Sequence, residues 1–304
     1  MRALASPASL KGVLSAREAA AALAEGLRRG GAEALELPIA DGGEGTADVL
    51  GARVRGTVTV PDAFGRPREA PICELADGTA VVEAAAAVPL DPAHLSPLEA
   101  SSRGVGELIA HVRAPRLLVC LGGTANVDGG AGLLEVVDAL PAPTTVLCDA
   151  LVPLRDAARR FAAQKGATPD EIEALERRLL AMPELAPYAE LPGAGAAGGL
   201  GAALASLGAQ LVPGAEEVLS RLGFREHAGA AELVVTGEGK VDATTTAGKA
   251  PGEALRACRD LGVRCVVFGG RVELELAGAE TVALGGDPAH AREDLVALGE
   301  QLAG

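Results

Sequence analysis

The sequence predicts an α/β protein: a parallel three-layer domain assembled from both chain ends, with a mixed α/β domain inserted between them. Three observations carry this reading. Short apolar runs alternate with helical spacing at the start of the chain and again at its end. Between them lies a stretch of alternating strands and tight turns. Glycine-rich turns follow the apolar runs, at the carboxyl ends of strands where open α/β sheets bind ligands. The chain has 304 residues, more than one core usually covers. The domains are set at 1–55 plus 229–304 and at 56–228.

"RALASPASLKG" reads as a short strand running into a loop that ends at Lys11. "SARE" is a capping box with Ser15 as N-cap and Glu18 as its partner, followed by Leu23 and Leu27 at helix spacing. "ALELPIA" is a second strand; it leads into Asp41–Thr46, "DGGEGT", and a helix from about Thr46. From Arg53 the pattern changes. "RVRGTVTV" alternates, "DAFGRP" turns, and "PICELADGTAVVEA" pairs strand-like pieces about Asp77-Gly78, as in an antiparallel meander.

A helix around Val105–Val112 follows, then the strand "RLLVCLGG", the loop and helix "TANVDGGAGLLEVV", and the strand "TTVLCDA". "TPDE" opens a capped helix with Ile172, Leu175 and Leu179 on one face and Pro183 beyond its end. The uncharged stretch Leu191–Ala215 is long enough to span a bilayer. Its seven glycines, two prolines and few large aliphatics predict a loop and a buried helix instead. "AELVVTGEG", a helix from about Pro251, "RCVVFGG", "ETVALGG" and a terminal helix complete the α/β rhythm.

Composition narrows the function classes. Hydrophobic residues make up 49% but aromatics only 2%, so the core is Ala, Leu and Val, and base-stacking platforms are absent. A net charge of −14 repels phosphate backbones and anionic lipid, which argues against nucleic acid and membrane as partners. An anionic substrate therefore needs local Lys and Arg. The five cysteines are an odd number without CxxC and fall largely in apolar runs, which predicts buried reduced thiols in a cytoplasmic protein. "MRALASPASLKG" does not read as a signal peptide.

Five loops share one grammar: a strand, then glycines with a carboxylate, lysine or hydroxyl. They are Ser9–Gly12, Asp41–Thr46, Gly122–Gly132, Cys148–Ala150 and Thr236–Asp242. Glycine lets backbone amides close around phosphate oxygens. Carboxylates in the same loops repel phosphate unless a divalent cation intervenes or they accept a hydroxyl proton. Together they suggest phosphate, Mg²⁺ and a hydroxyl nucleophile. Any one loop is equally well a turn with solvated acids; five in one chain favour the chemistry.

Specific templates fail. No GxxxxGK[ST] occurs, because Gly248-Lys249 is preceded at the required place by Ala243 and followed by Ala250. Gly193–Gly198 matches GxGxxG, but Pro192 and "YAEL" deny it the strand a dinucleotide fingerprint requires. The four histidines lack zinc-site spacing, and no GxSxG elbow is present.

"SLKG", "ADGGEGT", "GGTANVDGGAG", "QKGATP", "PGAGAAGG" and "TGEGKVDATTTAGKAP" occur in the order and context of the bacterial glycerate kinases that act on D-glycerate. The chain resembles that family from about Ser6 to its last helix. The resemblance implies a flavodoxin-like domain with an inserted α/β domain, an active site in the cleft, and ATP- and Mg²⁺-dependent phosphorylation of glycerate, most often to 2-phosphoglycerate. It makes Asp149 the first choice to orient or deprotonate the glycerate hydroxyl or to hold Mg²⁺, with Asp41 and Glu44 next. Lys11 and Lys249 would neutralise phosphate charge, and Gly122, Gly123 and Thr124 would cradle phosphate. Ser9, Gly42, Gly43, Thr46, Lys165 and Gly195 join the substrate- and nucleotide-contacting set. Asp128, Glu238 and Asp242 are the expected metal contacts. Four positions depart from the family pattern: Ala8 replaces an acid, Val127 an asparagine, Val152 an asparagine and Arg103 an aromatic residue. They motivate the alternative of a non-catalytic or repurposed ligand-binding member of the same fold. Oligomeric state is open, a homodimer included.

Overall fold

The computed structural model describes residues 1–304. Its eleven strands are β1 (Arg2–Ala5), β2 (Glu33–Glu36), β3 (Arg53–Pro61), β4 (Pro67–Glu74), β5 (Ala80–Glu83), β6 (Leu117–Cys120), β7 (Thr144–Cys148), β8 (Gln210–Pro213), β9 (Leu233–Val241), β10 (Arg264–Val272) and β11 (Glu280–Ala283). The chain divides into two compact units, Met1–Asp41 with Ala215–Gly304, and Gly42–Gly214. These bounds differ from those read in the sequence. The Gly42–Val49 segment hydrogen-bonds to Glu83 at the end of β5, which ties it to the second unit. Helices Gly214–Arg221 and Phe224–Gly229 bury Leu219 and Phe224 beside Leu255 and Cys258, which ties them to the first.

The first unit is built on a five-stranded, all-parallel sheet in the order β11-β10-β9-β1-β2. Counted along the unit's own chain this is 2-1-3-4-5, a doubly wound order. Both faces are covered, as a parallel sheet requires. Ala3, Ala5, Leu233, Val235, Val266 and Phe268 pack with the helices Ala16–Arg29 and Ala291–Ala303. Their strand neighbours Leu4, Val234 and Val267 face the opposite core, with the helix Ala250–Leu261. This is the period of two along each strand.

The first helix carries the capping box expected at Ser15 and Glu18. It meets the last helix at van der Waals closeness through glycine. A Cβ added at Gly26 would lie 2.0 Å from the Val296 carbonyl oxygen, and one at Gly299 would lie 2.4 Å from that of Leu23. Glycine in a helix interior costs about 1 kcal/mol relative to alanine. Here it allows the two chain ends to be clamped together.

The second unit holds a mixed sheet in the order β3-β4-β5-β6-β7-β8. The meander is present as β3–β4–β5, antiparallel throughout. β5 then does more than the meander reading assigned to it: its other edge pairs parallel with β6, and β6, β7 and β8 continue parallel. β8 lies inside the stretch read as loop and buried helix. Within that stretch Ala196–Ser206 is helical apart from a kink at Ala197–Gly199, with Ala196 through Ala205 buried, and Gly214 and Ala215 begin the next helix. No strand leads directly into Gly193, where a short 3₁₀ turn, Ala186–Tyr188, comes before it. The helix Pro169–Leu180 has its Thr168/Glu171 box and buries Leu175 and Leu179, with Ile172 at the margin. No helix of the chain is long and apolar enough to cross a membrane.

Replacing Gly26 or Gly299 by valine is expected to lower the unfolding free energy by about 1–3 kcal/mol through overpacking. Urea unfolding measures this; parental stability in both variants would refute the close contact of the two helices.

Candidate active site

In the first unit the loops gather at the carboxyl end of the parallel sheet. Past β1, Ser6 and Ala8 donate backbone hydrogen bonds to Val235 and Gly237 of β9, carrying Ser9 and Lys11 forward beside that strand. Past β2, Leu37 and Ile39 donate to Ala5 and Pro7, which brings Asp41 to the same end. A Cβ on Gly239 would come within 3.8 Å of Leu10 Cα and the Lys11 nitrogen, so the turn at Lys11 adjoins the "TGEG" segment. Lys11 itself is exposed.

Glu238 and Lys249 form the ionic centre of this group. Lys249 Nζ lies 3.0 Å from Glu238 Oε2, while Thr245 Oγ1 donates to Glu238 Oε1 at 2.8 Å. The same threonine hydroxyl accepts from the Asp242 amide. Asp242 accepts from both the amide and the hydroxyl of Thr244, and Lys240 stands 3.2 Å from its other oxygen. The Thr244 hydroxyl and amide, with Lys240 adding to them, hold the Asp242 carboxyl down at about 2. Lys249 directly precedes the twelve-residue helix Ala250–Leu261, whose amino end favours anions.

In the second unit three predicted loops meet. A Cβ on Gly122 would sit 2.6 Å from Gly43 Cα and 3.1 Å from Asp149 Oδ2. A Cβ on Gly42 would sit 2.8 Å from Leu147 Cβ. Glycine at both places is therefore a condition for Gly42–Thr46, Gly122–Thr124 and Asp149 to lie together. The Gly122 amide donates to the Gly42 carbonyl, and Thr46 Oγ1 donates to the Gly43 carbonyl at 2.7 Å, which closes the acidic loop on itself. Glu44 is exposed and Asp149 half-buried. Thr124 Oγ1 and Asn126 Oδ1 are buried without a hydrogen-bond partner.

Asp128, 1% exposed, lies beneath this group. Its Oδ1 accepts from Asn126 Nδ2 and the Gly130 amide, and its Oδ2 from the Ser102 amide, the Ser102 hydroxyl and the Gly132 amide. Lys165, 4% exposed, donates to the Asn126 carbonyl at 2.7 Å. Burial pushes the Lys165 ammonium down to about 8, against the pull of Asp149 and Asp128. Lys165 thus holds the loop from within. Gly195 is likewise a packing position: a Cβ there would lie 2.5 Å from the Pro153 carbonyl oxygen.

Each of the three carboxylates expected to contact metal has hydrogen-bonding partners within its own unit. Asp128 has both oxygens filled by five donors, Glu238 is shared between Thr245 and Lys249, and Asp242 is held by Thr244 and Lys240. No group of three carboxylate, histidine or cysteine side chains able to hold a cation is assembled elsewhere.

Sequence reading passed over Glu83, Ser102 and Asn126. Glu83 was legible as an acid closing the apolar run "TAVVE"; treating that run as part of a meander hid its place at the carboxyl end of a parallel strand. Nothing in the sequence marked Ser102 as the partner of Asp128. The departures from the family pattern are absorbed by packing. Val127 is fully buried against Leu154, Leu175 and Leu179, and Ala8 packs at the edge of a core. Val152 accepts the Gly195 amide through its carbonyl. Arg103 is exposed and paired with Glu107 and Glu135.

Glycine turns and acids at the carboxyl ends of parallel strands, with lysines beside them, define an α/β enzyme of the small-molecule kinase class. The chain belongs to the glycerate kinase family, which its residues 3–143 and 138–285 match. It is 35% identical to glycerate 2-kinase of Escherichia coli K12 over 83% of this chain and 80% of that one. It is 33% identical to a glycerate kinase of Bacillus subtilis 168 over 90% of this chain and 85% of the relative. A crystal structure of a Salmonella typhimurium LT2 protein bearing the name glycerate kinase 2 superposes with a TM-score of 0.79 at 31% identity, covering 100% of this chain and 97% of that one.

Asp128→Ala strands five donors in the interior and is expected to lower stability by about 3–5 kcal/mol in urea unfolding, the range for removing one partner of a buried charged network. A loss under about 1 kcal/mol would refute the hub. Asp242 has its carboxyl below the ordinary value of 3.8, so its contribution to stability is full above that pH and falls away as pH drops toward about 2. Thermal melts from pH 5 to pH 2 are expected to show wild type losing more stability than Asp242→Asn; parallel curves would refute it.

Proposed function

We propose that this chain transfers the terminal phosphoryl group of ATP to D-glycerate, giving 2-phosphoglycerate. The observation that carries the reading is the meeting of Gly42–Thr46, Gly122–Thr124 and Asp149 at glycine contacts that exclude any larger side chain. Such a surface brings backbone close to a ligand and sets one half-buried carboxylate beside it. Asp149 is assigned to orient the glycerate hydroxyl or take its proton, and Glu44 and Asp41 assist. Gly122, Gly123 and the unpartnered Thr124 hydroxyl are assigned to phosphate oxygens. Lys249, held at a helix amino end of the first unit, and the exposed Lys11 are assigned to phosphate charge, since a chain of net charge −14 needs positive groups for two anionic substrates. Mg²⁺ enters this reading as the nucleotide's counter-ion.

A coupled ADP-release assay with D-glycerate, ATP and Mg²⁺ tests the proposal, and NMR of the product separates 2- from 3-phosphoglycerate. Turnover is expected in wild type, and Asp149→Ala is expected to lower kcat by about 10²-fold or more. A change below about threefold would remove Asp149 from this role. Binding of glycerate or ATP without turnover in wild type would replace the kinase reading by that of a ligand-binding member of the fold.

A further inference from the structure

The acidic glycine loop is held by a carboxylate outside it. Glu83 is the last residue of β5, and its register partner on β6 is Cys120, two residues before Gly122. Glu83 Oε1 accepts from the Ala47 amide at 2.7 Å and Oε2 from the Gly45 amide at 3.2 Å. One side chain thus grips both sides of Thr46, whose own hydroxyl ties back to Gly43. The grip reaches across 36 residues of sequence for Ala47 and 38 for Gly45. Gly45 has φ of +86°, so the loop reverses at the amide that Glu83 holds. The residues it immobilises, Gly43 and Glu44, face Gly122 and Gly123: Glu44 Cβ lies 3.8 Å from where a Cβ on Gly123 would be.

Electrostatics set this contact apart from ordinary loop packing. Burial raises the Glu83 carboxyl, the Ala47 and Gly45 amides oppose the rise, and the Glu44 and Asp48 charges add to it. Cys73, on β4, faces the same carboxylate and has its thiol raised by burial and by Glu83. A carboxyl shifted upward means that folding favours the proton-bound form, so the charged form at neutral pH works against stability.

We infer that Glu83 is a positioning residue for phosphoryl transfer, fixing the Gly43–Thr46 turn against the Gly122–Thr124 turn through the Gly45 and Ala47 amides. The inference rests on the kinase reading above. Glu83 touches no reacting atom; it acts through the loop. Its carboxylate is matched to two N–H donors at once, whereas glutamine presents one acceptor and one N–H₂ group that opposes the second amide.

Glu83→Gln tests this in the ADP-release assay, alongside thermal melting and amide hydrogen exchange of the peptide covering residues 42–50. The expected result is a kcat lowered about 10-fold or more, KM for glycerate and ATP within about threefold, a melting temperature within about 4 °C of wild type, and faster exchange in that peptide. Wild-type kcat in Glu83→Gln overturns the inference, whatever the exchange shows. A fall in kcat that only tracks loss of folded protein overturns it too. If Glu83→Gln does not fold, Glu83→Asp retains the charge but withdraws it by one methylene, and the same criteria apply. A wild-type chain silent toward glycerate overturns the kinase reading and, with it, the transfer role of Glu83. The grip itself is then judged on exchange alone: unchanged protection of residues 42–50 in the variant overturns it.

Discussion

The buried Asp128 carboxylate is the interaction on which the second unit's loop group depends. At 1% exposure an ionised carboxylate is tolerated only when its lone pairs are answered, and five donors from three segments answer them. Those donors fix the start of the helix Arg103–Ala110 through Ser102, the "NVDGG" turn through Asn126 and Gly130, and the next helix through Gly132. Lys165 then secures the Asn126 carbonyl from a further segment. The network is closed by charge as well as by hydrogen bonds, because the ammonium of Lys165 is drawn upward by Asp128 and Asp149 even as burial draws it down. A loop that looks unconstrained in sequence is therefore held by hydrogen bonds from several segments.

Above that foundation, the geometry is set by backbone meeting backbone. Gly42, Gly122 and Gly198 lie where a methyl group would overlap neighbouring main chain or side chains, and Gly42 and Gly198 adopt a left-handed φ as well. Such approaches let strand ends from distant parts of the chain come together without intervening side chains. The consequence is a surface of amides and a few polar groups, with Asp149 and Glu44 as its charges. In the first unit the opposite device serves: side chains bridge side chains, with Thr245 linking Glu238 to the Asp242 backbone and Lys249 compensating Glu238. Both devices place titratable groups at carboxyl ends of parallel strands, the location that open α/β sheets reserve for ligands.

Departures from the family pattern also read differently in three dimensions. Val127 sits beside Asp128 in sequence, yet the two side chains serve different neighbourhoods: one fills an apolar core, the other organises a polar one. Arg103 exchanges a ring for an ion-paired surface side chain. These substitutions alter packing and surface charge.

Much of this protein is determined by local sequence. The capping boxes at Ser15 and Thr168, the alternation that puts Leu4 and Ala5 on opposite faces, and the glycine–acid loops after strands all follow from residue chemistry over a few positions, and the family motifs span nearly the whole chain. What sequence could not determine is partnership. Whether an acid after a strand binds a ligand or a neighbouring amide depends on which distant segment arrives beside it, and that is settled by sheet order. Asp128 takes hydrogen bonds from Ser102, Glu238 pairs with Lys249 and Asp242 with Thr244, partners that the isolated letters do not reveal. Glu83 looks like a meander residue until β5 pairs with β6 and lifts it beneath a loop some forty positions earlier. The physical reason is the range of each effect: propensity and capping act within a turn or two of chain, whereas satisfaction of a buried charge is decided by contacts across the whole fold.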